Sequence, residues 1–139
     1  MLVKTFGAAV QGIKATLVTI EVNISAGIKF FLVGLPDNAV KESHERIMSA
    51  LQYNKIPVPR KQVVINMAPA DICKEGSAYD LPLAIGMLAA SEVIDAADIE
   101  QYVIMGELSL NDTLKPVKDV LPIAILAREL GFKGFILPK

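Results

Sequence analysis

Lys74-Glu75-Gly76-Ser77-Ala78-Tyr79-Asp80 runs directly into Leu81-Pro82-Leu83-Ala84-Ile85-Gly86-Met87-Leu88-Ala89-Ala90. A charged, glycine-containing loop gives way, at an aspartate suited to capping a helix, to a stretch with no charged side chain. Pro82 falls in the first turn, where proline is tolerated. Leu81, Ala84, Ile85, Leu88 and Ala89 make this helix apolar around most of its circumference, so it is expected to be the central buried helix. Leu81, Ile85 and Leu88 are expected on its core-facing side. A loop opening such a helix is where many folds place an active site.

Outward from this helix, the chain alternates between strand and helix. Upstream, Gln62 to Ala68 places Val63, Ile65 and Met67 on one face of a strand that Pro69 stops. Asp37 is expected to cap a helix reaching about Gln52, with Val40, His44, Ile47 and Leu51 as its inner stripe. Lys41 with Glu45, and Glu42 with Arg46, are spaced to pair on its outer face. From Lys14 to Ser25, Thr16, Val18, Ile20, Val22 and Ile24 alternate with Thr19, Glu21 and Asn23, the period of a strand with one wet face. Val3 to Val10 reads as a weaker strand, with Gly12 in the turn after it. Phe30-Phe31-Leu32-Val33 is apolar on both faces and is expected to be a central strand. Downstream, Tyr102 to Leu110 and Thr113 to Val117 form an expected hairpin around Asn111-Asp112. Asp119 is expected to cap a third helix closing at Gly131, and Phe132 to Leu137 a last strand. This order predicts an α/β fold, an α+β sandwich in which helices cover a mixed sheet.

The 139 residues fit one domain, 1–139, large enough to bury a core. Hydrophobic residues make up 53% and charged residues 21% of the chain, a globular composition. No apolar run approaches the roughly 18 residues of a membrane span, and the N-terminus lacks the basic and apolar regions of a signal peptide. One cysteine, Cys73, excludes an internal disulfide and a cysteine-rich metal site. A cytoplasmic protein with no membrane partner is expected. A net charge of −1 gives no global attraction for nucleic acid, although Lys55, Arg60 and Lys61 could form a local basic patch. The chain stops directly after its last strand, which suggests a fragment of something longer.

Three places could carry chemistry. His44, the only histidine, lies on the apolar stripe of the first helix and reads as a packing residue. No metal site is expected. Gly34-Leu35-Pro36-Asp37 joins a strand to a helix N-terminus, where free N–H groups could hold an anion. A phosphate loop needs several glycines and a lysine, as in G-x-x-x-x-G-K-[ST], which this chain lacks, and Asp37 would repel phosphate. The turn therefore reads as structural, and no cofactor is expected in this domain. Ser77 is the third place. A serine nucleophile needs a base within reach and oxyanion donors around it. Lys74 is near in sequence but expected to be solvated, so Ser77 reads as a loop residue helping to start the helix.

Glu21-Val22-Asn23-Ile24-Ser25, the run from Val33-Gly34-Leu35-Pro36-Asp37 to Ser43, and the run from Lys74 to Ala84 resemble the N-terminal domain of the magnesium-chelatase-like AAA+ ATPases, the YifB/ComM family. Met105-Gly106-Glu107-Leu108-Ser109-Leu110 and Leu114-Lys115-Pro116-Val117 fit as well, so the resemblance covers essentially the whole chain. It implies a Lon-protease-like fold, related to a ribosomal-protein domain of βαβ type. It also implies an AAA+ module downstream, with ATP and Mg as cofactors of the full-length protein and assembly into a homo-oligomeric ring. ComM proteins are associated with DNA branch migration, a role that would rest on that motor, so the resemblance implies DNA as a partner of the full-length protein, with this domain expected to supply subunit contacts and a surface for a protein partner or DNA. The name magnesium chelatase reflects the ATPase module and carries no porphyrin chemistry to this chain.

Laid on the chain without gaps, the Lon pattern K-D-G-P-S-A-G falls on Lys74, Glu75, Gly76, Ser77, Ala78, Tyr79 and Asp80, placing the nucleophile position at Ala78. Its T-G-E segment falls on Met105-Gly106-Glu107, and counting onward places the catalytic lysine position at Leu121. Alanine has no nucleophile and leucine no base, so the resemblance implies that both dyad positions are empty. Lys118, at the start of the same helix, is expected to point elsewhere. The expected function is a non-catalytic accessory domain of an AAA+ ATPase. A Ser-Lys peptidase using Ser77 with Lys74 or Lys118, and a free-standing small-molecule binder, are the alternatives.

Overall fold

The computed structural model describes residues 2–57, 61–69, 77–110 and 114–138. The chain forms β1 (Leu2–Gln11), β2 (Lys14–Ser25), β3 (Phe30–Val33), α1 (Asp37–Tyr53), β4 (Gln62–Ala68) and α2 (Asp80–Ala90). A short 3-10 turn, Ile99–Gln101, leads into β5 (Tyr102–Ile104), followed by β6 (Glu107–Leu108), β7 (Leu114–Lys115), α3 (Val120–Glu129) and β8 (Gly134–Ile136). Six strands make one mixed sheet in the order β3-β4-β2-β1-β5-β8, and β6 pairs with β7 apart from it. The result is the expected mixed α/β sandwich.

Alternation along β2 decides the layering. Val18, Ile20, Val22 and Ile24 are buried and face α1 and α2, joined by Val63, Ile65 and Met67 of β4 in the larger core. Ala15 and Leu17 face the opposite side, where Ala8 of β1 and Val103 of β5 meet Ile123 and Ala127 of α3. Two helices therefore cover one face, and α3 covers the end of the other face near β5 and β8. Phe6 and Phe132 pack edge-to-face with ring centroids 5.4 Å apart in this second layer.

α2 is the central helix, and the side it buries differs from the expected one. Leu83, Met87 and Leu88 lie in the core, whereas Leu81 and Ile85 are only half-buried. The helix lies so close to the sheet at Gly86 that an added Cβ would stand 2.8 Å from Val22 Cγ2. The sheet thus meets the arc that contains Gly86, and a pattern of large apolar residues alone points to the wrong arc.

Three further elements depart from expectation. β3 is an edge strand and not a central one: Phe30 and Leu32 pack on the larger core, while Phe31 and Val33 are 46% and 58% exposed. α3 leaves that end of the second face uncovered, so an apolar run there does not mean burial on both sides. The stretch Tyr102 to Leu110 is not continuous. β5 belongs to the main sheet, Met105-Gly106 breaks the strand, and β6 pairs with β7 as a shorter hairpin. Phe132 to Leu137 contracts to β8, Gly134–Ile136.

Helix starts also differ. Pro36 precedes α1 and Asp37 is its first residue, with no side-chain cap bond. The Pro36 carbonyl accepts from the Val40 N–H at 3.0 Å, so the backbone alone closes the first turn. Asp119 does occupy the cap position of α3, in a left-handed conformation with φ of 59°, but its side chain makes no capping bond. None of the described helices is long and apolar enough to cross a membrane.

Candidate functional site

The start of α2 is built by backbone from a distant part of the chain. Asp80 does not cap the helix, because Tyr79 holds the cap position. Instead Leu81 donates its first-turn N–H to the Gly106 carbonyl at 3.0 Å, and the Gly106 N–H donates to the Ala78 carbonyl at 2.7 Å. The first of these satisfies a helix-end donor that usually needs a capping side chain, and the second ties the same Gly106 to the residue before the cap. They also lock residues 77–81 against Met105-Gly106-Glu107.

Freed from capping, the Asp80 carboxylate turns inward and is 1% exposed. Ser43 Oγ donates to Asp80 Oδ1 at 2.7 Å, and Arg46 donates through Nε to Oδ2 at 2.6 Å and through Nη2 to Oδ1 at 3.1 Å. The Leu108 N–H adds a bond of 3.2 Å to Oδ2. A buried carboxylate is tolerable only when it is paired and its lone pairs are filled, and here both conditions hold. The hydrogen bond to Asp80 is the main reason that the Arg46 pKa lies above its ordinary value; burial opposes it, and the charges of Asp80, Glu107 and Glu42 add to it. The expected surface pairing of Arg46 with Glu42 is thus replaced by a buried bridge between α1, α2 and β6. Sequence reading missed this brace because its partners lie 34 residues apart. No local signal marks it, because an aspartate at a helix start reads as a cap.

Beside the brace, a cleft of about 620 Å³ opens between β1 and the segment before α3. Ser77, Ala78 and Tyr79 form one wall, Met105 and Glu107 another, and Pro116, Val117, Lys118 and Asp119 a third. Residues 8–11 of β1 form the base. The two loops singled out from sequence therefore do meet. Lys118, expected to point elsewhere, lines this cleft together with Ser77. The left-handed turn at Asp119 starts α3 only at Val120, which leaves residues 116–119 to cross the cleft. Among the described residues, no hydrogen bond joins Ser77 to Lys118. Leu121 does not line the cleft and is 70% exposed on α3. Lys74, Glu75 and Gly76 lie outside the described residues, as does Arg60 of the basic patch; Lys55 and Lys61 are exposed.

The other two places do not line this cleft. Gly34 has φ of 113°, and a Cβ there would stand 2.5 Å from the Met67 carbonyl oxygen, so Gly34-Leu35-Pro36-Asp37 is a turn pressed against β4. Its Asp37 side chain is exposed. His44 is half-buried, with its ring 4.3 Å from that of Phe30. Among the described residues, no group of three or more His, Cys, Asp or Glu side chains could hold a metal ion.

Residues 20–139 match the family described as Subunit ChlI of Mg-chelatase. The chain belongs to this family. It is 44% identical over 135 residues to the competence protein ComM of Haemophilus influenzae, a match covering 96% of this chain and 26% of the relative. It is 43% identical over 124 residues to YifB of Salmonella typhimurium, covering 88% of this chain and 24% of that protein. A protein of Mycobacterium tuberculosis, Rv2897c, is 34% identical over 136 residues, covering 97% of this chain and 27% of its own length. The chain thus spans about a quarter of the length of these relatives.

Proposed function

We propose that residues 1–139 form the non-catalytic accessory domain of a magnesium-chelatase-like AAA+ ATPase. ATP and Mg are handled by a further part of the protein, and this domain serves subunit assembly in a ring and the engagement of a protein partner or DNA. The observation that supports this reading is the chemistry at the two positions where the Lon resemblance places a dyad. Ala78 lines the cleft without a nucleophile, and Leu121 stands on the exposed side of α3 with no base to offer. Family membership supports the ATPase context, and the chain has no glycine-rich lysine loop that could cradle a phosphate. DNA branch migration, associated with ComM proteins, would be the work of the motor. The test is the DNA-stimulated ATPase rate of the full-length protein with and without residues 1–139. Loss of stimulation with basal hydrolysis retained supports the accessory role, and an unchanged stimulated rate overturns it.

The shared cleft of Ser77 and Lys118 favours a second reading, a Ser-Lys peptidase. That chemistry needs the Lys118 amine neutral and within hydrogen-bond reach of the Ser77 hydroxyl. Degradation of an unfolded protein by the full-length assembly with ATP, abolished by Ser77→Ala and by Lys118→Ala alike, would establish it.

A further inference from the structure

The side of β1 that faces the cleft carries main-chain groups with no sheet partner. β1 and β2 are joined by the two-residue turn Gly12-Ile13, and Gln11 pairs with Lys14 at its base. In an antiparallel ladder, hydrogen-bonded and non-hydrogen-bonded pairs alternate. Gln11 and Ala9 therefore direct their N–H and C=O groups to β2, and Val10 and Ala8 direct theirs to the opposite side. The bonds of Ala8 agree with this. Its carbonyl accepts from the Tyr79 hydroxyl at 3.1 Å, and its N–H donates to Met105 Sδ at 3.5 Å. β5 cannot continue the ladder, since it pairs with β1 at Phe6 with Val103 and ends at Ile104. At Val10 the N–H and C=O have no hydrogen-bond partner on that side among the described residues, and Val10 lines the cleft.

We propose that the cleft binds an extended stretch of polypeptide, which lies along the open side of β1 and hydrogen-bonds to the Val10 main chain. A donor and an acceptor on one extended residue are the complement of another extended residue, which is how peptides add to an open strand. The volume of about 620 Å³ lies within the range of pockets that enclose small ligands. Val117, Pro116 and Ile123 give apolar contact for the peptide's side chains. Among the described residues of the lining, Glu107 and Asp119 set two carboxylates against one cation, Lys118, a balance that disfavours a nucleic-acid backbone. Binding requires no bond to be cut, so it specifies the partner-engaging part of the accessory role above and does not depend on either reading of Ser77.

The test begins by selecting short random peptides displayed on phage against the full-length protein. Enriched sequences are then synthesised and titrated by fluorescence anisotropy. Val10→Pro removes the N–H that faces the cleft without touching a bond to β2, and Ser77→Trp fills the cleft from its opposite wall. Each substitution is expected to weaken the selected peptides by about tenfold or more, and bound peptide should slow hydrogen exchange at the Val10 amide. If Val10→Pro fails to fold, Ser77→Trp and the exchange measurement on the unsubstituted protein decide. The proposal is overturned if no peptide is enriched, if peptides bind both variants as tightly as the parent, or if the Val10 amide exchanges at its free rate in the complex. Displacement of bound peptide by a single-stranded oligonucleotide would assign the cleft to nucleic acid and overturn it equally.

Discussion

At Arg46 and Asp80 the two ends of one ion pair differ in what they can do when abandoned. The Arg46 side chain is 22% exposed and can turn to water, whereas Asp80 at 1% cannot. Arg46→Met therefore leaves a buried carboxylate short of its cation and should cost about 3 kcal/mol. Adding Asp80→Asn removes that charge, so the double variant should be more stable than Arg46→Met alone; urea unfolding of all three proteins measures this. If the double variant is the less stable, the carboxylate is not the buried liability argued here. Gly34→Ala should cost more than about 1 kcal/mol, through both its positive φ and the Met67 carbonyl in the way. Ser77 presents the opposite case. Its carbonyl accepts from the Asp80 N–H, but α2 has no side-chain cap, so Ser77→Ala should change stability by less than about 0.5 kcal/mol. ATPase activity of the full-length protein should be nearly unaltered by it. A large fall in that rate would give the hydroxyl a role that the accessory reading denies.

Among the elements, α2 makes the sharpest demand on packing. Leu83 and Met87 are fully buried and Leu88 nearly so, and truncating any of them to alanine should cost roughly 2 to 5 kcal/mol. Leu81→Ala and Ile85→Ala should cost less, because these side chains keep part of their surface in water. Equal losses across the five positions in thermal or urea melts would mean that the helix is not seated as described. Strand β4 and the part of β2 from Val18 to Ser25 were legible residue for residue, since period-two alternation directly records which face is wet, whereas Ala15 and Leu17 pack beneath α3. The edge position of β3 was not legible, because an apolar run does not reveal whether a helix covers its second face. The seating of α2 was hidden for a related reason: Gly86, the residue of closest approach, contributes no hydrophobic signal. The loops of the cleft could be named from sequence, but their meeting depends on Gly106 bonds that no local pattern announces. Asp80 was found as a helix-start residue and misassigned, since a cap and a buried anchor look alike in one dimension.

For the molecule as a whole, the absence of a phosphate loop leads to a direct expectation. The domain on its own should neither bind nor hydrolyse ATP, and calorimetric titration should give no saturable heat. Micromolar or tighter binding would require a nucleotide site unlike any glycine-rich loop. The strand order has another consequence, for the making of the protein. β3, β4, β2 and β1 are contiguous in the sheet and all lie before residue 69, whereas β5 and β8 are added on the far side of β1. A nascent chain that has just cleared Ala68 from the ribosome already holds four neighbouring strands, yet α2, which must cover them, is still inside the exit tunnel. Val18, Ile20 and Val22 then lack the cover of α2 for as long as translation takes to deliver that helix. Slow codons downstream of those for α2, read while that helix is still in the tunnel, would lengthen this interval and raise the demand for a chaperone.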